Sequence, residues 1–411
     1  MKVFTSLPTV DEAVDRFLGT VRPQPRGSEI VRLEHVLGRI TAQDLVAPED
    51  LPPFDRSAVD GYAVRCADVA GASAEAPATL RVVGEVRVGE AARVSLLPGQ
   101  AVRIPTGGML PEGADAVVMQ EHCDRQGERL AVHTSVQAGA NVVCQAADVR
   151  RGEVVALAGT RIRPQELGLL AGLGIVEVPC CVPPRVAIFS TGDEVVPADR
   201  TPMPGQVRDM NRHSLAGQVS RLGAVPLVGG ILSDEAEAVE RRLRDAMHSA
   251  DVLLVSGGSS VGARDVLAEV VPRLGAPGVV VHGVAIKPGK PTLLALCDGK
   301  VVIGLPGNPV SAMVVFEAFA RPVLEAMLGL RPDLRGARRV LARLAQRLRA
   351  PADREEFVRV RIAGRGDCPV AHPVLGGSAI ITTMTRADGY VRVPMGQTLD
   401  GGAWVEVHLF D

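Results

Sequence analysis

Apolar residues first recur at helical spacing over Thr9–Val21, where Val10, Ala13, Val14, Phe17, Leu18 and Val21 form one stripe. An amphipathic helix is expected there. A short strand–helix–strand pattern runs on to about Pro48, followed by the proline-rich stretch PEDLPPFDRSAVDGYAV. From about Cys66 to Asp148 the period drops to two. Short alternating segments (LRVVGEVRV, AVRIPT, DAVVMQ, RLAVHTSV) are separated by glycine and proline turns, the pattern of an all-β module. Over 149–182, Pro164 opens a helix as its first residue, Gly174 closes it, and the strand IVEVP follows.

The clearest pattern runs from Pro183 to about Leu330. Strand RVAIFS leads to TGDE and a helix through NRHSLAGQVSRLG. Strand AVPLVGGIL leads to Ser233-Asp234 and a helix with Val239, Leu243, Ala246 and Met247 on one face. Strand DVLLVSGG leads to SSVGARD and a helix, and strand VVVHGVAI leads to KPGKP. A hairpin turning at Asp298-Gly299 returns strand VVIGLP to GNP and a long helix from Pro309. Strands alternating with helices predict right-handed βαβ units and a mostly parallel sheet between two helical layers. The tail, 331–411, alternates again as a β module. Eleven arginines stand against four acids between 331 and 365, which fits a solvated barrel face or an anion-facing surface.

Composition narrows the class. At ~150 residues per domain, 411 residues suggest two to four domains. Hydrophobic residues are 46% and charged residues 22%, the profile of a folded globular chain. A net charge of −2 speaks against a nucleic-acid partner. No apolar run is long enough for a membrane span, and Asp11 and Glu12 come too early for a signal peptide. Seven cysteines, none in a CxxC pair, suit a reduced cytoplasmic enzyme. There are four lysines, and two of them, Lys287 and Lys290, share one loop.

In an open parallel sheet, ligands bind outside the carboxyl ends of the strands. Those ends carry Ser190, Thr191, Gly192 and Glu194; then Asp234; then Gly257, Gly258, Ser259 and Asp265; then Lys287 and Lys290; then Pro306, Asn308, Pro309 and Ser311. Glycine turns let backbone N–H groups approach phosphate oxygens, and lysines add point charge. Carboxylates beside phosphates call for a bridging hard cation, which fits Mg²⁺ on Glu194, Asp234 and Asp265. Asp234 and Asp265 also stand where helix N-caps would, and PGNP is compatible with plain turn chemistry. Gly258-Ser259-Ser260-Val261-Gly262 matches a hydrolase nucleophile elbow, but no acid and histidine follow in the required order. No zinc-spaced His/Cys pair is present.

PPFDRSAVDGYAV, PTGGMLPEGADAVVMQE, FSTGDEV, SGGSSVGARD, AIKPGKP and GLPGNPVSA occur in one order along the chain. In these motifs the chain resembles the MoeA family of molybdopterin molybdenumtransferases and the gephyrin E domain. The resemblance implies insertion of molybdenum from molybdate into adenylylated molybdopterin, with release of AMP and a requirement for Mg²⁺. It implies a homodimer of four-domain chains: a composite linker domain (1–60 and 149–182), a β insertion domain (61–148), an α/β/α molybdopterin-binding domain (183–330) and a C-terminal β-barrel (331–411). It also implies kinship with, and contact to, the adenylyltransferase of the same pathway. Carried over by motif, the active-site acids are Asp60, Asp148, Glu194, Asp234 and Asp265. Thr106 is the threonine of the TG turn, and Arg354 and Ser378 are the barrel residues facing the oxyanion. Three positions depart from the family pattern: Val143 to Ala147, Ala263 and Gly283, where charged residues are usual. These bear on substrate affinity rather than fold. The alternatives are a non-catalytic molybdopterin-binding scaffold and a diverged, tungstate-using paralogue.

Overall fold

The computed structural model describes residues 7–257, 266–336, 338–364 and 369–410. The first helix, α1 (Val10–Val21), begins at a capping box. The Thr9 hydroxyl accepts the Glu12 N–H at 3.3 Å, and the Glu12 carboxylate accepts the Thr9 N–H at 2.8 Å. Such a cap contributes about 1 kcal/mol. The buried residues of α1, Val10, Ala13 and Phe17, enter the core of the large central sheet.

Segments 28–57 and 142–181 are joined by short antiparallel ribbons. Ser28–Arg32 pairs with Glu177–Cys181, Leu45–Val46 with Val154–Ala156, and Arg56–Ser57 with Val142–Val143. The helix α2 (Pro164–Gly172) closes a small core of Val36, Ile162, Leu170 and Val178 over them. Between these segments lies a separate six-stranded sheet of β1 (Gly61–Val64), β2 (Ala78–Glu85), β3 (Gln100–Ile104), β4 (Ala116–Met119), β5 (Cys123–Gln126) and β6 (Arg129–Val132), in the order β4-β1-β3-β2-β6-β5.

The central sheet holds β7 (Arg185–Thr191), β8 (Val225–Leu232), β9 (Val252–Ser256), β10 (Pro277–His282), β12 (Leu293–Cys297) and β13 (Lys300–Leu305), in the order β8-β7-β9-β13-β12-β10. The first four are parallel; β12 is antiparallel to both its neighbours. The apolar runs read in the sequence are buried on both faces. Val186, Ile188, Val252 and Leu254 face α1, α3 (Asn211–Leu222) and the helix from Pro309, while Ala187, Phe189, Leu253 and Val255 face α4 (Ala236–Met247) and α5 (Val266–Leu274). The helix from Pro309 runs as α6 (Pro309–Val315), a π turn at Phe316–Ala320 and α7 (Arg321–Met327).

One strand differs from its reading. The run VVVHGVAI is not continuous: β10 ends at His282, the backbone turns at Gly283 (φ 81°), and Ile286–Lys287 forms β11 in a different sheet. Its apolar pattern is unbroken because both halves are buried, and periodicity does not register a change of sheet.

That second sheet is the barrel of β14 (Arg339–Leu344), β15 (Glu355–Ala363), β16 (Val370–Pro373), β17 (Gly389–Val393) and β18 (Trp404–Leu409). It closes in the order β15-β16-β14-β18-β17, with β17 returning to β15. β11 adds to β15 in parallel, Ile286 opposite Glu355 and Lys287 opposite Glu356. The two faces of β15 serve two cores. Val358 and Val360 fill the barrel, while Phe357 packs into the core of the central domain.

Candidate functional site

The carboxyl ends of the parallel strands align along one edge of the sheet, with Ser190 level with Ser256 and Leu305. There the Ser190 hydroxyl donates to Asp209 Oδ1 at 2.8 Å and lies 3.4 Å from the Ser256 hydroxyl. Asp209 is buried, accepts the Arg212 N–H at 3.1 Å, and has its other oxygen 3.2 Å from Arg212 Nε. Neither Asp209 nor Arg212 was picked out by sequence reasoning. The available signal was an acid two residues ahead of the helix that opens at Asn211. Asn211 itself donates from Nδ2 to the Gly307 carbonyl at 2.8 Å, tying the loops after β7 and β13 together. Gly257 has φ 96°, and a β-carbon on it would stand 2.8 Å from the Thr191 hydroxyl, so the close approach of these loops requires glycine. Thr191 Oγ1, Asn211 Oδ1 and Asp234 Oδ1 are buried without a hydrogen-bond partner among the described residues. Buried polar atoms are normally satisfied, so three orphans on one edge mark a place for a polar ligand.

Acids gather at the β7–β8 end of this edge. The Glu194 carboxylate folds back over Gly192, and the Asp234 N–H donates to Asp193 Oδ1 at 3.3 Å. The Asp234 carboxyl is held above the usual carboxylate range, first by burial and then by the charges of Asp193 and Glu194. Asp234 is not the helix cap that its position allowed: α4 is capped from Glu235, without a side-chain bond. Among the described residues no three His, Cys, Asp or Glu groups converge as a complete metal site. Gly258, Ser259 and Asp265 lie outside the described residues.

At the other end of the edge is a cavity of about 720 Å³ between the loop after β11 and the barrel. It brings together Lys287, Lys290, Pro306, Asn308, Ser311, Arg354 and Ser378, all named from the sequence, and adds Arg347, Arg349 and Arg359. Six cations face one acid, Glu356. Such an excess of one sign, walled by buried apolar groups, concentrates anions. Gly289 (φ 128°) seats the lysine loop against α6, where a β-carbon would meet Val315 Cγ2 at 2.5 Å. Asn308 donates from Nδ2 to the Ser378 hydroxyl at 2.9 Å, and the Val310 N–H donates to the Ser378 carbonyl at 3.1 Å. The start of α6, with Pro309 as its first residue, is thus joined to the barrel. Arg354 pairs with its neighbour Asp353 at 3.2 Å. Its next neighbours in sequence pair elsewhere: Glu355 holds Arg392 at 2.6 Å and Glu356 holds Lys287 at 2.9 Å. Of the arginine-rich tail, Arg331, Arg339 and Arg347 make ion pairs with Asp333, Glu406 and Asp400. The tail thus serves as solvated face and cavity wall at once.

Asp60, Thr106 and Asp148 stand apart. The Thr106 N–H and hydroxyl both donate to Asp60 Oδ1, at 2.8 and 3.1 Å, so the structure joins these two to each other. Asp148 is exposed, and its N–H donates to the Leu51 carbonyl. No hydrogen bond or ion pair links any of the three to the sheet edge among the described residues.

Three family models match the chain in sequence: "MoeA N-terminal region (domain I and II)" over 8–174, "Probable molybdopterin binding domain" over 187–326 and "MoeA C-terminal region (domain IV)" over 341–410. A Bacillus subtilis protein named molybdopterin molybdenumtransferase is 35% identical over 413 residues, covering 98% of this chain and 94% of the relative. One of that name from Nostoc is 37% identical over 332 residues, 80% of this chain and 76% of the relative. Among solved structures, a molybdopterin biosynthesis MoeA protein from Pyrococcus horikoshii superposes with a TM-score of 0.86 at 30% identity, over 98% of this chain and 100% of that one.

Proposed function

The chain belongs to the MoeA family, and from that premise we propose that it inserts molybdenum from molybdate into adenylylated molybdopterin, releasing AMP. The observation that carries this reading is the cationic cavity at one end of a sheet edge whose other end is acidic. β7 and β10 are four strand positions apart, roughly 19 Å at about 4.8 Å per strand. That span suits an elongated substrate with a nucleotide at one end and a metal-accepting group at the other.

Lys287, Lys290 and Arg354 neutralise the tetrahedral oxyanion. Ser311 and Ser378 donate hydroxyl hydrogens to it, and Pro306 and Pro309 shape the wall between the two ends. Arg354 can offer two parallel N–H bonds, and its charge does not vary with pH. Ser190, Thr191, Gly192, Gly257, Gly258, Ser259 and Asn308 hold the organic substrate along the edge, where the unpartnered Thr191 and Asn211 oxygens await polar groups.

Mg²⁺ is the cofactor of this reading. The residues fit it: Asp234 keeps a buried oxygen without a partner and is crowded by Asp193 and Glu194, a cluster that a cation relieves. Glu194, Asp234 and Asp265 would hold it together with the substrate's phosphate oxygens, where it neutralises phosphate charge. Asp60, Thr106 and Asp148 complete the site from a second copy of the chain, which makes the working form a homodimer. The adenylyltransferase that makes the substrate is the expected partner, and the cytoplasm the expected compartment. No described helix is long and apolar enough to cross a membrane.

The test is incubation with adenylylated molybdopterin, molybdate and Mg²⁺ while AMP is followed. AMP release that needs all three, with molybdenum retained on the pterin, is expected. Tight substrate binding with no AMP release would leave a scaffold instead.

A further inference from the structure

A smaller cavity, of about 230 Å³, lies where the paired segments 28–57 and 142–181 meet the C-terminal end of α3. α3 begins at the sheet edge, where Asn211 bonds the Gly307 carbonyl, and its 12 residues carry it roughly 18 Å away at about 1.5 Å per residue. Leu37, Ile40 and Leu328 supply apolar wall, and Arg39, Arg161 and Arg221 line the same hollow. No Asp or Glu lines it among the described residues. Arg161 donates from Nη1 to the Gly38 carbonyl at 3.1 Å and from Nη2 to the Leu222 carbonyl at 3.0 Å, so it reaches from one segment to the end of α3. Arg39 donates from Nη2 to the Cys181 carbonyl at 2.9 Å, and Glu29, outside the cavity, offsets its charge. Arg221 stands in the last turn of α3, and its side chain makes no hydrogen bond or ion pair among the described residues.

We propose that this cavity binds a small oxyanion of the phosphate class, and that the bound anion ties the paired segments to the central domain. Guanidiniums hold such oxygens with paired N–H bonds, and apolar walls around charge of one sign strengthen the attraction. Pockets for whole organic ligands run from about 300 Å³ upward, so this volume suits an inorganic anion rather than a nucleotide. An arginine in a last helical turn also answers the helix dipole. That accounts for Arg221 alone, but not for three guanidiniums around one hollow without an acid. The C-terminal carbonyls of a helix repel anions, yet here the Leu222 carbonyl is taken up by Arg161.

The experiment titrates the full-length chain with sodium phosphate by isothermal calorimetry at constant ionic strength. It compares wild type, Arg354→Ala, and Arg354→Ala combined with Arg221→Gln or with Arg39→Gln. Arg354→Ala weakens the other cationic cavity, beside Lys287, so the uptake that remains reports on this one. Saturable uptake is expected in both wild type and Arg354→Ala, and adding either second change should raise its Kd at least fivefold. Arg221→Gln decides the matter should Arg39→Gln lose structure, because Arg39 also holds Glu29 and the Cys181 carbonyl. Phosphate should also raise the melting temperature of Arg354→Ala by more than that of its Arg221→Gln combination, a comparison that cancels the general stabilising effect of phosphate as a salt. Absence of saturable uptake in Arg354→Ala would overturn the proposal, as would a Kd that Arg221→Gln raises less than fivefold.

Discussion

The ammonium of Lys287 lies 2.9 Å from Glu356 Oε1, so the one acid of the cationic cavity neutralises one of its cations. The pair is fixed by the strands that carry it, because Lys287 and Glu356 are register partners where β11 joins β15. An anion entering the cavity competes with this carboxylate for Lys287.

Glu356→Gln removes the competing charge while keeping shape and an oxygen acceptor. The molybdate Kd should fall about two- to fivefold, roughly 0.4–1 kcal/mol. Titration at low and high salt checks it, since the gain should shrink as salt screens the half-exposed pair.

Arg354→Ala should raise the molybdate concentration for half-maximal cofactor formation tenfold or more, about 1.4 kcal/mol. Binding of adenylylated molybdopterin should stay nearly intact. If Arg354 served only its surface pair with Asp353, worth ~0–1 kcal/mol, the molybdate requirement would not move.

Asp234 has a pKa raised above that of the unfolded chain. Its charge therefore costs stability above the folded value, and the cost fades as pH falls towards the unfolded value. Asp234→Asn should raise the melting temperature of the metal-free protein at neutral pH, and the gain should vanish near the ordinary carboxylate range. The same variant should need at least tenfold more Mg²⁺ for AMP release. Melting curves across pH and a Mg²⁺ titration check both halves.

The sheet-edge loops were legible because each follows an apolar run buried on both faces. Arg354 and Ser378 of the barrel were named only through family motifs, since nothing in PADREEF or GGSAI says that another domain covers them. Arg359 escaped because alternation says which residues point out of a barrel, not what lies outside. Asp209 escaped because it follows a two-residue strand that no periodicity reports. The break at Gly283 escaped because one apolar run feeds two sheets.

Gly289→Ala should destabilise the seat of the lysine loop by about 1–3 kcal/mol. It combines a φ of 128° with a β-carbon 2.5 Å from the buried Val315 Cγ2, so something in the packing must shift. The loss should appear in molybdate affinity before it appears in secondary structure, and circular dichroism beside titration separates the two.

Light scattering at micromolar protein should give twice the chain mass of 43.1 kDa. A mass equal to one chain would leave Asp60, Thr106 and Asp148 without a site to complete.

The pairing of β11 with β15 also sets an order of manufacture. Ile286 and Lys287 leave the ribosome well before Glu355 and Glu356, the residues they bond to, and the barrel closes only with β18, which ends at Leu409. Until then the barrel stays open between β14 and β17, the two strands that β18 joins. A closed barrel beside the cavity is therefore among the last features the growing polypeptide acquires. A chain released before its final strand would carry every residue of the cationic cavity, from Ile286 to Ser378, without the closed barrel that walls it.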